Sequence, residues 1–188
     1  MSRNAKAFGL IILILVAVPA IVGFGIDDVR LPHNHQGYAP VQPIAFSHRL
    51  HAGVLEMNCQ YCHQGADESR HATIPSAQTC MNCHSKVDGT TVDGQTNINI
   101  LRQYYNTNTP IRWIKVHRLP DHAYFNHSAH VEGQKIACQE CHGKVEEMAV
   151  LSMERKFNMG FCINCHRQKN AEPGSDLHAP LDCSGCHR

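Results

Sequence analysis

Ten cysteines in this chain of 188 residues fall into five pairs with the same surroundings. Cys59-Gln60-Tyr61-Cys62-His63, Cys80-Met81-Asn82-Cys83-His84, Cys138-Gln139-Glu140-Cys141-His142, Cys162-Ile163-Asn164-Cys165-His166 and Cys183-Ser184-Gly185-Cys186-His187 are copies of C-x-x-C-H. Two thiols at this spacing add across the vinyl groups of a haem, and the histidine that follows binds the iron from one face. The expected cofactors are therefore five covalently bound c-type haems, with His63, His84, His142, His166 and His187 as proximal ligands. No cysteine is left for a disulfide or a nucleophile. A zinc ribbon also uses C-x-x-C, but it takes two pairs per metal and needs no histidine after every second cysteine. An odd number of pairs fits it badly.

A six-coordinate haem needs a second axial ligand, and the chain has 15 histidines. The sequence Phe46-Ser47-His48-Arg49-Leu50-His51 precedes Cys59 by seven residues, and Phe125-Asn126-His127-Ser128-Ala129-His130 stands in the same relation to Cys138. The offset between the copies is 79 residues throughout. Histidines at i and i+3 leave one face of a helical turn, so His48, His51, His127 and His130 are expected as distal ligands reaching different irons. His117, after the extended apolar run Ile111, Trp113, Ile114 and Val116, is the expected fifth. Its competitors are Met148, His71 and Met153; His71 and Met153 each stand nine positions before the next motif. His122 and His178 are read as non-ligating partners of haem propionates. With every motif ending in histidine and second ligands plentiful, no iron is expected to stay open for a substrate. The chain reads as an electron carrier without catalytic residues, not as a nitrite or hydroxylamine reductase.

The elements that position these groups follow from composition. Aromatic residues are few and Trp113 is the single tryptophan, too little to build a large core unaided. The expected fold is a haem-templated multihaem cytochrome c, mostly short helices and irregular chain with little strand, plus one N-terminal transmembrane helix. Residues 8–26 form an uncharged run long enough to span a bilayer, and Arg3 and Lys6 before it keep residues 1–7 in the cytoplasm. A signal anchor is favoured over a leader cleaved near Ala20, because the apolar run continues past that point. Both readings put the haem region on the outer, periplasmic face of the cytoplasmic membrane. Residues 27–45 read as a linker, 46–110 as a first module with two haems and a haem-free connector, and 111–188 as a second module with three. Within the connector, a helix is expected over residues 97–105 with Ile98, Leu101 and Tyr105 on one side. The net charge of +1 offers no basic stripe for nucleic acid.

The paired-histidine modules resemble small multihaem cytochromes of the class III type. Gln42-Pro43-Ile44-Ala45-Phe46-Ser47-His48, Ile74-Pro75-Ser76, Val116-His117-Arg118-Leu119-Pro120-Asp121, Val145-Glu146-Glu147-Met148 and Met159-Gly160-Phe161-Cys162 narrow this. Together they resemble the pentahaem cytochrome subunit of alternative complex III, a quinol-oxidising bacterial membrane assembly. The resemblance implies partner subunits that include an iron–sulfur protein and a monohaem cytochrome, and a periplasmic electron acceptor. It also implies that one haem takes a methionine, which keeps Met148 in view. The alternative is a single-helix, membrane-anchored multihaem quinol dehydrogenase feeding a soluble periplasmic reductase.

Overall fold

A computed structural model of the chain describes residues 35–187. The expected membrane span, residues 8–26, lies outside them, and among the described residues no helix is long and apolar enough to cross a membrane. The chain divides after His35, and the described residues fall almost wholly in the second unit, Gln36–Arg188.

The second unit is built from short helices joined by irregular chain. A π-helix, Arg49–Val54, is followed by α1 (Cys59–Cys62), α2 (Ala77–His84) and α3 (Val92–Asn106). Then come α4 (His127–Val131), α5 (Cys138–His142), a 3-10 turn (Val145–Glu147), α6 (Met159–Asn170) and α7 (Cys183–Cys186). The expectation of short helices with little strand holds among the described residues; the strand content given for them is one bridge, Ala123 with His187. Polar residues start several of these helices. Asn58, Asn126, Asn158 and Asp182 each accept a hydrogen bond from a backbone N–H of the first turn, satisfying donors that have no partner within the helix. Asn58 and Asp182 immediately precede the first cysteine of their motifs, so the cap fixes where the helical turn carrying the thiols begins.

The apolar core is small. Among the described residues, the buried hydrophobics are Ile44, Ala66, Ile98, Leu101, Val116 and Met153, with Met153 only 1% exposed. Hydrogen bonds between distant segments compensate. Residues 37–45, within the expected linker, are tied down at several points. Gly37 N donates to Met153 O at 2.7 Å and Met153 N to Tyr38 O at 3.0 Å. The Gln42 amide holds Ile114 at both ends of its peptide, donating to its carbonyl and accepting from its N–H, each at 2.9 Å.

The haem-free connector has a structural role of its own. Its helix runs from Val92 to Asn106, longer than expected, because Thr91 caps it through Gly94 N at 3.0 Å. Ile98 and Leu101 are buried, whereas Tyr105 is exposed. Arg102 donates to His84 O at 2.9 and 3.2 Å and pairs with Asp88 at 2.7 Å. A cation thus sits at the C-terminus of α2, where the helix dipole favours it.

The two copies of the repeat interlock. The first paired-histidine turn docks on the chain after the third motif, with Arg49 N donating to Met148 O at 2.8 Å. The second copy docks on the chain after the first motif, through Ser128 N to Ser69 O at 3.0 Å and His127 N to Arg70 O at 3.3 Å. At the first contact Gly53 lies so close to the carbonyl of Glu146 that a Cβ would overlap it. Gly53→Ala is therefore expected to cost about 1–3 kcal/mol, read as a lower thermal midpoint. Gly160→Ala in α6, where the nearest atom is Asn158 Oδ1 at 3.4 Å, should cost little.

Candidate haem-binding centre

In each C-x-x-C-H motif the two cysteines stand at i and i+3 of a helical turn, which puts both sulfurs on one side. All ten thiols are free, and each is at least partly accessible. Burial raises the pKa of Cys62, Cys80, Cys138, Cys141 and Cys162, and neighbouring cysteines push them further the same way. These thiols are protonated at neutral pH, unlike activated nucleophiles. Among the described residues no three of His, Cys, Asp or Glu converge to hold a metal ion. A tetrahedral zinc site needs four such ligands, whereas a haem needs two axial ones and brings its own nitrogens.

The histidines carry the clearest signal. His63, His84, His166 and His187 donate from Nδ1 to backbone carbonyls: Thr73 O at 2.7 Å, Val87 O at 3.0 Å, Pro180 O at 2.7 Å and His122 O at 3.2 Å. His51, His127 and His130 do the same to Ser47 O at 2.9 Å, Arg70 O at 3.0 Å and Asn126 O at 2.7 Å. A carbonyl can only accept, so in all seven the proton is on Nδ1 and the lone pair on Nε2. That is the tautomer and support expected of a metal-bound imidazole. Phe46 and Phe125 stack on His51 and His130, with centroids 4.4 Å apart in both copies.

Three pairs of imidazoles face one another. Two imidazoles on opposite sides of one metal, each bonded at about 2 Å, have centroids roughly 6 Å apart. The centroid distance is 6.1 Å for His51 and His84, 6.4 Å for His127 and His142, and 6.2 Å for His130 and His166. His48 lies within electrostatic reach of His63. His117 sits elsewhere, edge-on to His142 at 4.4 Å and near Phe157 at 5.8 Å, with its buried Nε2 unpartnered. His71 is exposed and near His127. Met153 is buried in the core, and Met148 Sδ lies 4.0 Å from Ser152 Oγ. The His122 ring lies 5.4 Å from that of His187, on the side of the Nδ1 whose hydrogen the His122 carbonyl accepts. Its position in the repeat is occupied in the first copy by Pro43, so the offset of 79 could not reveal it.

Two cavities adjoin the motifs. One of about 430 Å³ is lined by Ala52, Met57, Cys59, Ala137, Cys138 and Glu146. The other, about 500 Å³, lies at the start of α2 between Ile74, Pro75, Ala77, Ile111, Trp113 and Lys115. Both are within the usual range of cofactor slots, roughly 300–1,000 Å³. Trp113 has a buried indole N–H without a protein partner, a donor suited to a carboxylated macrocycle with a cationic neighbour. The residues fit a haem.

Burial holds His48 and His117 at a pKa of about 4 and His142 at about 3, with neighbouring histidines adding to the effect on His48 and His142. These rings are neutral at pH 7, so their lone pairs are available. Because the folded pKa is depressed, their neutral form supports the fold above pH 6.5 and that support is lost as pH falls through about 4. Coordination at Nε2 would act in the same direction. The thermal midpoint should fall between about pH 6.5 and pH 4. His117→Phe should make that fall smaller, the acid loss of stability shrinking by about 3 kcal/mol at most. Equal pH profiles for the two proteins would contradict it.

Residues 27–118 match the family model of class III cytochrome c, and residues 123–188 that of cytochrome c7 and related cytochromes c. The chain is 31% identical to the multihaem cytochrome c subunit of a menaquinone reductase from Nitratidesulfovibrio vulgaris, over 54% of this chain and 45% of that one. It thus spans under half the length of that relative. It is also 31% identical to the 26 kDa cytochrome c3 of Desulfomicrobium norvegicum, over 34% of this chain and 74% of that one. With both family models matched in succession along the chain and three quarters of a cytochrome c3 covered at 31% identity, the chain belongs to the class III multihaem c-type cytochromes, electron carriers rather than enzymes with a substrate site.

Proposed function

We propose that the chain holds five c-type haems and relays electrons as the pentahaem subunit of a quinol-oxidising membrane complex of the alternative complex III type. Each bound haem supplies a one-electron iron(III)/iron(II) couple. The observation that carries the relay is the succession of neighbouring motifs. Cys62 has Cys83 within electrostatic reach, and Cys80 has Cys62. Cys59 and Cys138 are joined by a side-chain hydrogen bond and line one cavity. Cys141 neighbours Cys162 and Cys165, and Cys162 neighbours Cys186. This supports the spatial order second, first, third, fourth, fifth motif, an unbranched line through the interlocked repeat.

The chain's residues set what passes along that line. Cys59, Cys62, Cys80, Cys83, Cys138, Cys141, Cys162, Cys165, Cys183 and Cys186 anchor the macrocycles. His84, His142 and His166 face His51, His127 and His130, and His63 has His48 within electrostatic reach. Imidazole on both faces leaves no position for a substrate and makes little change of geometry between oxidation states. The Nδ1–carbonyl bonds of His51, His63, His84, His127, His130 and His166 hold those rings in place and raise their basicity.

A link to quinone chemistry is supported by the relative named as the multihaem cytochrome c subunit of a menaquinone reductase, whose name gives quinone reduction; quinol as the source of electrons rests on the resemblance to alternative complex III. The segments that resemble those of alternative complex III, including Val116–Asp121, support the finer assignment. Residues 8–26 would anchor the chain with its haem region on the periplasmic face.

Purification of the native chain from membranes in mild detergent tests this reading. Recovery with a polytopic quinol-binding subunit, an iron–sulfur subunit and quinol-reducible haem is expected. Recovery with a soluble periplasmic reductase alone would favour the simpler anchored quinol dehydrogenase. Within the chain, His51→Ala should keep haem attached at Cys80 and Cys83 while turning a single low-spin haem high-spin, seen by electron paramagnetic resonance. An unchanged low-spin spectrum would remove His51 from the ligands.

A further inference from the structure

In four of the motifs a backbone carbonyl fixes the proximal imidazole through Nδ1: Thr73 O for His63, Val87 O for His84, Pro180 O for His166 and His122 O for His187. In the third motif, among the described residues, rings surround His142 instead. His117 stands edge-on to it, with centroids 4.4 Å apart and planes at 87°. Phe157 lies 6.2 Å from His142 and 5.8 Å from His117, inclined to both. Phe161, next to Cys162, packs on Phe157 at 5.4 Å. We propose that His117 is the positioning residue of the third motif: its ring takes the place of the orienting carbonyl and holds the imidazole of His142 where it faces His127.

Two rings on opposite sides of one iron stand roughly 6 Å apart, as His127 and His142 do at 6.4 Å. His117 is too near His142 to share an iron with it in that way. Contact at 4.4 Å between perpendicular rings is the edge-to-face packing of aromatic groups, and it blocks rotation of the imidazole about its Cβ–Cγ bond. His117 is itself held. Val116 before it is buried, and further back the Ile114 peptide is clamped at both ends by the Gln42 amide. A ring in this role does not supply the carbonyl acceptor that raises the basicity of the other proximal imidazoles. Opening the space to water would supply one, strengthen the ligand and favour the ferric state, so the potential would fall.

This role rests on the five-haem reading, and peptide mass spectrometry separates the two. Haem is expected on Cys138 and Cys141 of the wild type, and its absence there overturns both. In the loaded protein, His117→Ala removes the wall and His117→Phe keeps a flat ring in its place. Electron paramagnetic resonance should find the same share of low-spin haem in the wild type and both variants. In His117→Ala the g values of one low-spin signal, the one that His127→Ala turns high-spin, should shift, and the potential of that haem should fall. In His117→Phe both should keep their wild-type values, a rescue that loss of a ligand would not allow. A new high-spin haem in either variant makes His117 a ligand and overturns the proposal. So does a His117→Ala protein with unchanged g values and potentials, or a His117→Phe protein that shifts as far as His117→Ala. If His117→Ala is poorly produced, His117→Gln answers instead. Its side-chain carbonyl offers His142 an acceptor, so the same haem should stay low-spin at a lowered potential, and an unchanged potential overturns the proposal.

Discussion

The Nδ1–H···O=C bond is the interaction on which this molecule turns. An imidazole on a short helix in a nearly coreless chain is otherwise free to rotate and to exchange its proton between two nitrogens. One backbone carbonyl removes both freedoms: it fixes the ring and leaves the lone pair on Nε2. Seven of the histidines in the motifs and paired turns use it. The cost in conformational entropy is small, because the acceptor is a backbone group already held by turns and caps. His48 differs, since its buried Nδ1 has no partner; there burial and the neighbouring ring of Phe46, 4.9 Å away, hold the imidazole.

Packing follows from the same economy. Six buried hydrophobic side chains among the described residues cannot by themselves offset the ordering of so long a chain. Docking each paired-histidine turn on the loop behind the other copy's motif makes the paired histidines part of the scaffold. The first and third motifs meet at Cys59 and Cys138, near the centre of the line. The connector helix braces one end through Arg102, and the Ala123–His187 bridge braces the other. Large apolar macrocycles in the cavities beside the thiols would supply the burial that the side chains do not.

Much of this was legible in the sequence because covalent chemistry demands a rigid local pattern. Two thiols at i and i+3 with a histidine at i+4 can be recognised without any tertiary information, and the offset of 79 carries the paired histidines with it. Short helices followed from the scarcity of apolar residues. What stayed hidden depends on contacts between distant segments. The proximity of His122 to His187 stayed hidden because Pro43 stands at the place of His122 in the first copy, and the bridge and hydrogen bonds that make the contact join segments far apart in sequence. Gln42 looked like linker, yet its amide closes on a peptide 72 residues distant. The connector helix began earlier than its apolar spacing predicted because Thr91, a polar cap, sets its start.

The central claim is that every C-x-x-C-H turn carries a haem held through both sulfurs. Mass spectrometry of peptides from the protein isolated from its native membrane tests this most directly, since it does not depend on how the amino terminus is processed. Five haem-bearing peptides are predicted, each containing one cysteine pair and its histidine. A motif recovered with both thiols free, or with zinc in place of haem, would contradict the account.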